Sequence, residues 1–117
     1  MIKTFHDIVA WQKAHELVLL TYKLTEQYPK TEIFGLASQS RRCAVSVPSN
    51  IAEGYTRKSR ADCLHFYRIS DGSLEELKYQ LLLARDLGYI SDSQYSQVLL
   101  LAEEVGRLLN GWKKTQK

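Results

Sequence analysis

The side chains that most often do chemistry are few and scattered in this 117-residue sequence. His6, His15 and His65 do not recur at a ligand spacing, and no glutamate has a histidine three residues after it, as di-iron bundles require. Glu75 and Glu76 are adjacent, so on a helix their carboxyl groups point apart and do not form an acid–base pair. The sequence contains no glycine-rich phosphate loop and no nucleophile motif. We therefore predict no catalytic residues, no metal site and no cofactor.

Basic side chains provide the stronger functional lead. The chain has 16 Lys and Arg against 13 Asp and Glu, a formal charge of +3, and residues 30–60 hold 6 bases against 2 acids. Arg57, Lys58 and Arg60 cluster in one predicted turn, and Arg41 adds to the local excess. Because Arg60 begins a predicted helix, the free N–H groups there and the cations together favour a phosphate. The cluster lacks interleaved aromatic residues, which favours phosphate contacts over base readout. A solvated loop without a ligand is the alternative.

A set of polar residues recurs at three- and four-residue steps and so lies on one face of each of two predicted helices. One interpretation is two solvated faces. The other is a hydrogen-bonded network between the helices, in which Arg42 balances Glu53 or Glu76, because buried charges persist only when they are paired. Both interpretations make the set structural rather than catalytic. The residues of this polar network are Gln39, Arg42, Ser46, Asn50, Glu53, Ser73 and Glu76.

Apolar residues recurring at helical spacing predict four helices, over residues 7–28, 33–53, 60 or 61 to 87, and from 92 onward. Capping pairs at Thr4 with Asp7, Ser59 with Asp62, and Ser91 with Gln94 mark three of the helix starts. Tyr28 precedes a proline and ends the first helix. Gly54 and Gly88 are predicted to be left-handed caps at the ends of the second and third helices, and Pro48 predicts a kink inside the second.

Four long helices with short connections predict an all-α fold, an antiparallel up-down-up-down four-helix bundle, with one domain over residues 1–117. Apolar residues on the first and fourth helices extend beyond a narrow stripe. A bundle of this size does not bury so wide a surface alone, so we expect a homo-oligomer. The residues that widen the stripes are Trp11, Leu19, Leu20, Leu99, Leu100, Leu101 and Leu108.

Cysteine content and hydropathy indicate the compartment. Cys43 and Cys63 are too few for a disulfide framework and lack metal-ligand spacing, so we expect reduced thiols in the cytoplasm. No charged-then-apolar leader begins the sequence. The longest apolar runs, residues 17–20 and 98–102, are far too short to span a bilayer. We therefore expect a cytoplasmic protein with no membrane partner.

Three segments of the sequence resemble the signatures of one protein family. They are residues 5–14 (FHDIVAWQKA), 35–54 (GLASQSRRCAVSVPSNIAEG) and 72–77 (GSLEEL). Over essentially its whole length the chain resembles the four-helix-bundle proteins encoded in intervening sequences of bacterial 23S rRNA genes. Cys43 stands where such proteins more often have alanine, and Ser40 where they often have leucine. Both are small changes that leave the resemblance intact.

The resemblance implies an antiparallel four-helix bundle assembled as a ring-like homopentamer, and it implies no catalytic activity. A related branch, the accessory proteins of diversity-generating retroelements, forms similar basic barrels that bind nucleic acid and a reverse transcriptase. We therefore predict a non-catalytic homo-oligomer that binds nucleic acid, RNA above DNA, through phosphate contacts from Arg41, Arg57, Lys58 and Arg60. The alternative hypothesis is an oligomeric scaffold that binds a protein partner through its helical faces, and a bundle enzyme is a distant third.

Overall fold

Four α-helices make up the fold, and no strand is present. The computed structural model describes all of residues 1–117. Single 3₁₀ turns at Phe5–Asp7 and Lys30–Glu32 precede the first two helices. The helices are α1 (Val9–Thr25), α2 (Leu36–Tyr55), α3 (Arg60–Asp86) and α4 (Asp92–Lys114). The prediction of an all-α chain with four helices is confirmed.

Local capping sets the starts of α3 and α4, as the sequence predicts. The Ser59 hydroxyl accepts a hydrogen bond from the Asp62 N–H at 3.1 Å, which makes Ser59 the N-cap and Arg60 the first residue of α3. At α4 the exchange is reciprocal, because Ser91 and Gln94 each cap the other's N–H, at 2.9 and 3.0 Å. Gly88 has a φ of +79°, so the predicted left-handed end of α3 is confirmed.

The first two helices begin later than predicted, because side chains cap the turns in front of them; α1 also ends at Thr25, before the predicted Tyr28, and α2 continues to Tyr55. The Asp7 carboxylate accepts hydrogen bonds from the N–H groups of Lys3 and Thr4, at 2.9 and 3.1 Å, and so closes the first 3₁₀ turn. The Glu32 carboxylate accepts the Leu36 N–H at 3.1 Å and so caps α2 three residues after its predicted start. Carboxylates are favourable at these positions because helix starts carry positive partial charge.

Gly54 is not the left-handed cap that the sequence predicts. It lies inside α2, is buried, and has no positive φ. A Cβ at position 54 would lie 2.5 Å from Cε1 of Tyr67, whose ring is fully buried on α3. Residue 54 is therefore glycine because α2 and α3 approach closely there, and not because the chain needs a left-handed residue.

Each helix packs against two neighbours: α1 and α3 both contact α2 and α4, whereas α1 does not contact α3 and α2 does not contact α4. The enclosed space holds one continuous apolar core. Pro48 lies in the middle of α2, which continues through it as one helix, and the Ser70 hydroxyl of α3 donates to the neighbouring Val47 carbonyl at 2.8 Å. None of the four helices has the length and apolar character needed to cross a bilayer.

The apolar surface on α1 and α4 is narrower than the sequence predicts. Leu19 is 58% exposed and Leu100 is 66% exposed, so both side chains lie largely outside the core. The other five residues of the widened stripes are half-buried, and four of them pack against the core: Trp11, Leu20, Leu101 and Leu108. One bundle therefore covers most of these stripes by itself.

Substitution of Gly54 and of Gly72 by alanine distinguishes a glycine that close packing requires from one that it does not require. For Gly54→Ala we expect lower stability, because overpacking costs about 1–3 kcal/mol while the helix-propensity gain is about 0.5–1 kcal/mol. Nothing lies within 4 Å of a Cβ at Gly72, so Gly72→Ala is expected to gain stability. Urea unfolding followed by circular dichroism measures both. Equal changes in the two variants would contradict the proposed role of Gly54.

Candidate functional site

The predicted basic cluster lies at one end of the bundle. Arg57 and Lys58 are in the connection between α2 and α3, and Arg60 is the first residue of α3. The Nε atom of Arg60 lies 3.4 Å from the carbonyl oxygen of Gln116, which brings the chain terminus after α4 to the same place. Exposed bases at this end include Arg57, Lys58, Arg60, Lys114 and Lys117, and we call these five residues the basic end.

Arg57 has partners within the protein. Its Nη2 lies 3.2 Å from Oε2 of Glu53, one helical turn earlier, and its guanidinium lies 4.6 Å from the centre of the Phe66 ring. Its position just after the carboxyl end of α2 is also favourable for a cation. These contacts give Arg57 a role in the fold, and Glu53 balances part of its charge.

Lys58 and Arg60 lack such partners. Both are exposed, and neither belongs to any of the ion pairs of the structure. Arg60 also lies at the amino end of α3, where the helix dipole disfavours a cation. Arg60 has only its contact with the Gln116 carbonyl and Lys58 has none, so both present positive charge that no carboxylate balances.

The lysines at the carboxyl end of α4 belong to the same surface, although they lie far from Arg60 in the sequence. Lys113 is paired with Asp71 of α3, whereas Lys114 and Lys117 are exposed. The run of bases at the chain terminus is visible in the sequence, but only the packing of α4 against α3 brings it beside Arg60. The basic end therefore combines residues from two distant parts of the chain.

Arg41 does not join the basic end. It lies in the second turn of α2, 14 residues before the helix ends at Tyr55, or roughly 20 Å along the axis at 1.5 Å per residue. Its Nε donates to the Thr25 hydroxyl at 2.8 Å, and its guanidinium lies 4.7 Å from the centre of the Tyr22 ring. The four bases predicted to contact phosphate thus fall into two separate places.

The polar residues facing one another across α2 and α3 form a smaller network than predicted. The hydroxyls of Ser46 and Ser73 lie 2.8 Å apart and join the two helices. The side-chain amide of Asn50 donates to the Ser46 hydroxyl at 3.0 Å and to the Ser46 carbonyl at 2.8 Å. These three residues agree with the network interpretation.

The predicted ion pairs of Arg42 do not form. Arg42 is exposed and has no ion pair, while Glu53 pairs with Arg57, which lies just beyond the carboxyl end of α2. Glu76 instead accepts a hydrogen bond from the Cys43 thiol at 3.2 Å. Gln39 is exposed and agrees with the solvated interpretation.

Cys43 is a half-buried thiol inside this polar surface rather than part of the apolar packing. Its sulfur donates to Glu76 and accepts a hydrogen bond from the Gln80 amide at 3.4 Å. Burial, reinforced by the hydrogen bond to the Glu76 carboxylate, raises the pKa of the Cys43 thiol to about 11. Because the thiolate is the reactive form, the sulfur is a poor nucleophile near neutral pH.

The three histidines pack against aromatic side chains. His6 lies edge-on to Trp11 and His15 stacks on it, at centroid distances of 5.1 and 5.3 Å. His65 packs edge-on against Phe66. No three His, Cys, Asp or Glu side chains are grouped so that they could hold a metal ion.

Comparison with known proteins gives two findings. Residues 6–111 match the family described as 23S rRNA-intervening sequence protein. Among solved structures, a protein with unknown function from the S23 ribosomal protein family of Bacteroides thetaiotaomicron is similar in fold, with a TM-score of 0.82. The two chains are 26% identical, and the match covers 91% of this chain and 99% of the other. No curated protein matches the chain.

The raised pKa of Cys43 predicts slow alkylation. In a Cys63→Ala background at pH 9, we expect iodoacetamide to modify Cys43 at least about tenfold more slowly in the folded protein than in urea, because the folded thiol stays protonated. Mass spectrometry across pH 7–11 gives the rate profile. Glu76→Gln should move the profile to lower pH, since the carboxylate opposes ionisation. Equal rates in the folded and unfolded protein at pH 9 would contradict the assignment.

Proposed function

Because the chain belongs to the 23S rRNA-intervening sequence protein family, we propose that it is a non-catalytic, homo-oligomeric nucleic-acid-binding protein of the cytoplasm. In this proposal its target is RNA. The basic end contacts the phosphates of the target, with Lys58 and Arg60 as its principal residues. The resemblance of the chain to proteins of this family supports the proposal, and so does the charge at the basic end.

The observation that carries the proposal is the unpaired charge of Lys58 and Arg60. A cation at the amino end of a helix is opposed by the dipole, so its presence there needs another reason. The same helix start offers free N–H groups, and an anion that contacts both the cation and these groups is stabilised twice. A phosphate of a polynucleotide has this chemistry, and contacts to it carry no base information.

A small cluster such as the basic end can bind a polyanion with useful affinity when an oligomer repeats it. We propose that the helices run antiparallel around the bundle and that copies assemble into a closed ring, with five copies as the resemblance implies. Five copies carry a formal charge of 5 × 3 = +15. One polyanion that contacts several basic ends gains affinity because each further contact is intramolecular. The exposed Leu19 and Leu100 are candidates for contacts between copies.

The alternative function is a protein-binding scaffold, and one observation favours it. Phe34 is 93% exposed beside Ile33, which is 57% exposed, at the end of the bundle where α2 begins. Two neighbouring apolar side chains in solvent are typical of a surface that a partner covers. The experiments below distinguish the two functions, because only nucleic-acid binding depends on the basic end.

RNA binding is expected to depend steeply on salt and little on sequence. Each phosphate contact releases about one counterion, so Lys58→Gln and Arg60→Gln should each weaken binding to all sequences alike and each reduce the salt slope by about 1 for every basic end that the RNA contacts. Filter binding with unrelated structured RNAs and with DNA, from low to moderate salt, measures affinity and slope together.

Lys23→Gln is the matched control for these variants. Lys23 is an exposed lysine of α1 without an ion pair, so its substitution removes the same charge outside the basic end. The control should retain wild-type affinity and slope. If the wild type does not bind, or if all three variants bind equally well, the scaffold hypothesis replaces the proposed function.

Assembly is expected to depend on the exposed leucine of α4. Wild-type protein should sediment as a closed oligomer, and Leu100→Glu should shift it toward monomer with little change in melting temperature, because Leu100 lies outside the core. Asn110→Glu places the same charge at another exposed position of α4 and should leave the oligomer intact. Analytical ultracentrifugation measures all three proteins. A stable wild-type monomer at micromolar concentration would contradict the proposed ring.

A further inference from the structure

A second polar surface follows α2 from Ser38 to Asn50 and includes Tyr22 of α1. It is an open groove of about 640 Å³ whose lining includes Tyr22, Ser38, Arg41, Arg42 and Ser49. Binding pockets for small ligands commonly enclose about 300–1,000 Å³. The groove therefore has room for a ligand of nucleotide size, and we call it the α1–α2 groove.

Arg41 is held in a fixed orientation within this groove. Its Nε donates to the Thr25 hydroxyl at 2.8 Å, and that hydroxyl donates onward to the Tyr22 carbonyl at 3.0 Å. The Tyr22 ring lies 4.7 Å below the guanidinium carbon. Contact with an aromatic ring and one hydrogen bond through Nε leave both terminal nitrogens free to donate. A guanidinium fixed in this way loses little entropy when it binds an oxyanion in the two-pronged geometry.

The positive charge of the groove is uncompensated. Six ion pairs form in the protein, and neither Arg41 nor Arg42 belongs to any of them. No Asp or Glu lines the groove. Arg41 packs on the Tyr22 ring and donates to Thr25, whereas the exposed Arg42 has no hydrogen bond or ion pair within the protein. An anion that contacts both side chains would balance a charge that no carboxylate balances.

The other residues that line the α1–α2 groove indicate which class of anion fits it. Two arginines match the charge of a phosphate monoester, which carries about −1.5 to −2 near neutral pH. Ser38 and Ser49 add hydroxyl donors, and Ile33 and Val45 add an apolar wall beside them. A ligand that joins a phosphate to a less polar ring system, as a nucleotide does, fits both parts of this lining.

We propose that the α1–α2 groove binds the phosphate monoester of a nucleotide, either a free mononucleotide or the 5′-phosphorylated end of an RNA strand. Arg41 grips the phosphate with its two terminal nitrogens, and Arg42 supplies the second positive charge. Tyr22 is a positioning residue that acts through Arg41. The proposal goes beyond binding at the basic end and does not depend on it, because the two surfaces lie at different parts of α2.

Isothermal titration of the full chain with adenosine 5′-monophosphate, and with adenosine as its uncharged counterpart, tests the groove at low salt. We expect binding of the monophosphate and at least tenfold weaker binding of adenosine. Arg41→Lys keeps the charge but removes the two-pronged donor, so it should weaken the monophosphate at least tenfold. Arg42→Gln changes an exposed side chain without affecting the core and should also weaken binding. No binding by the wild type, or wild-type binding by both variants, would overturn the proposal.

Two controls and one competition complete the experiment. Arg68→Gln and Arg107→Gln each remove the charge of an exposed arginine outside the groove, on α3 and on α4; both should bind the monophosphate as the wild type does. Melting temperatures confirm that the variants are folded. Displacement of the monophosphate by a 5′-phosphorylated RNA oligonucleotide, but not by its 5′-hydroxyl counterpart, assigns the ligand to RNA ends. Equal failure of both oligonucleotides assigns it to free nucleotide.

Discussion

The ring of Tyr67 fills the space that a side chain at position 54 would occupy, so α2 and α3 approach each other only because residue 54 is glycine. The hydroxyl contacts from Ser70 to the Val47 carbonyl and between Ser46 and Ser73 lie along the same interface. This interface fixes α2, whose carboxyl end leads into the basic end and whose residues between Ser38 and Asn50 form one wall of the α1–α2 groove. Both candidate sites therefore depend on how closely these two helices pack.

Whether a charged side chain has a partner within the protein distinguishes charges that help to hold the fold from charges that are available to a ligand. Arg57 is compensated by Glu53 and by the Phe66 ring, as expected for a side chain that helps to hold a turn. Lys58 and Arg60 have no carboxylate or aromatic partner, and the dipole at the amino end of α3 disfavours the charge of Arg60, which contacts only the Gln116 carbonyl. Exposed ion pairs contribute only about 0–1 kcal/mol to stability. The pair between Arg57 and Glu53 therefore indicates that the fold has a place for the charge of Arg57, and not that this charge stabilises the fold strongly.

Local signals in the sequence predict the elements well, because caps and helical spacing depend on neighbouring residues. The capping pair at Ser91 and the left-handed Gly88 are found as predicted. The prediction for Gly54 is wrong, because a glycine required by a distant side chain looks the same in sequence as one required by a turn. The predicted pairing of Arg42 is also wrong, because helical spacing gives the face of a residue but not its depth. Lys114 and Lys117 join the basic end only through the packing of α4 against α3, which no local signal encodes.

The basic end, and no other lysine-bearing surface, is the part of the protein that we propose contacts the polynucleotide. Acetylation of the protein with and without saturating RNA, read out by mass spectrometry at each lysine, tests this most directly. We predict that RNA protects Lys58, Lys114 and Lys117 while Lys23 and Lys30, which are exposed elsewhere, react at unchanged rates. Protection of Lys23 and Lys30 with full reactivity at Lys58 would contradict the proposed interface.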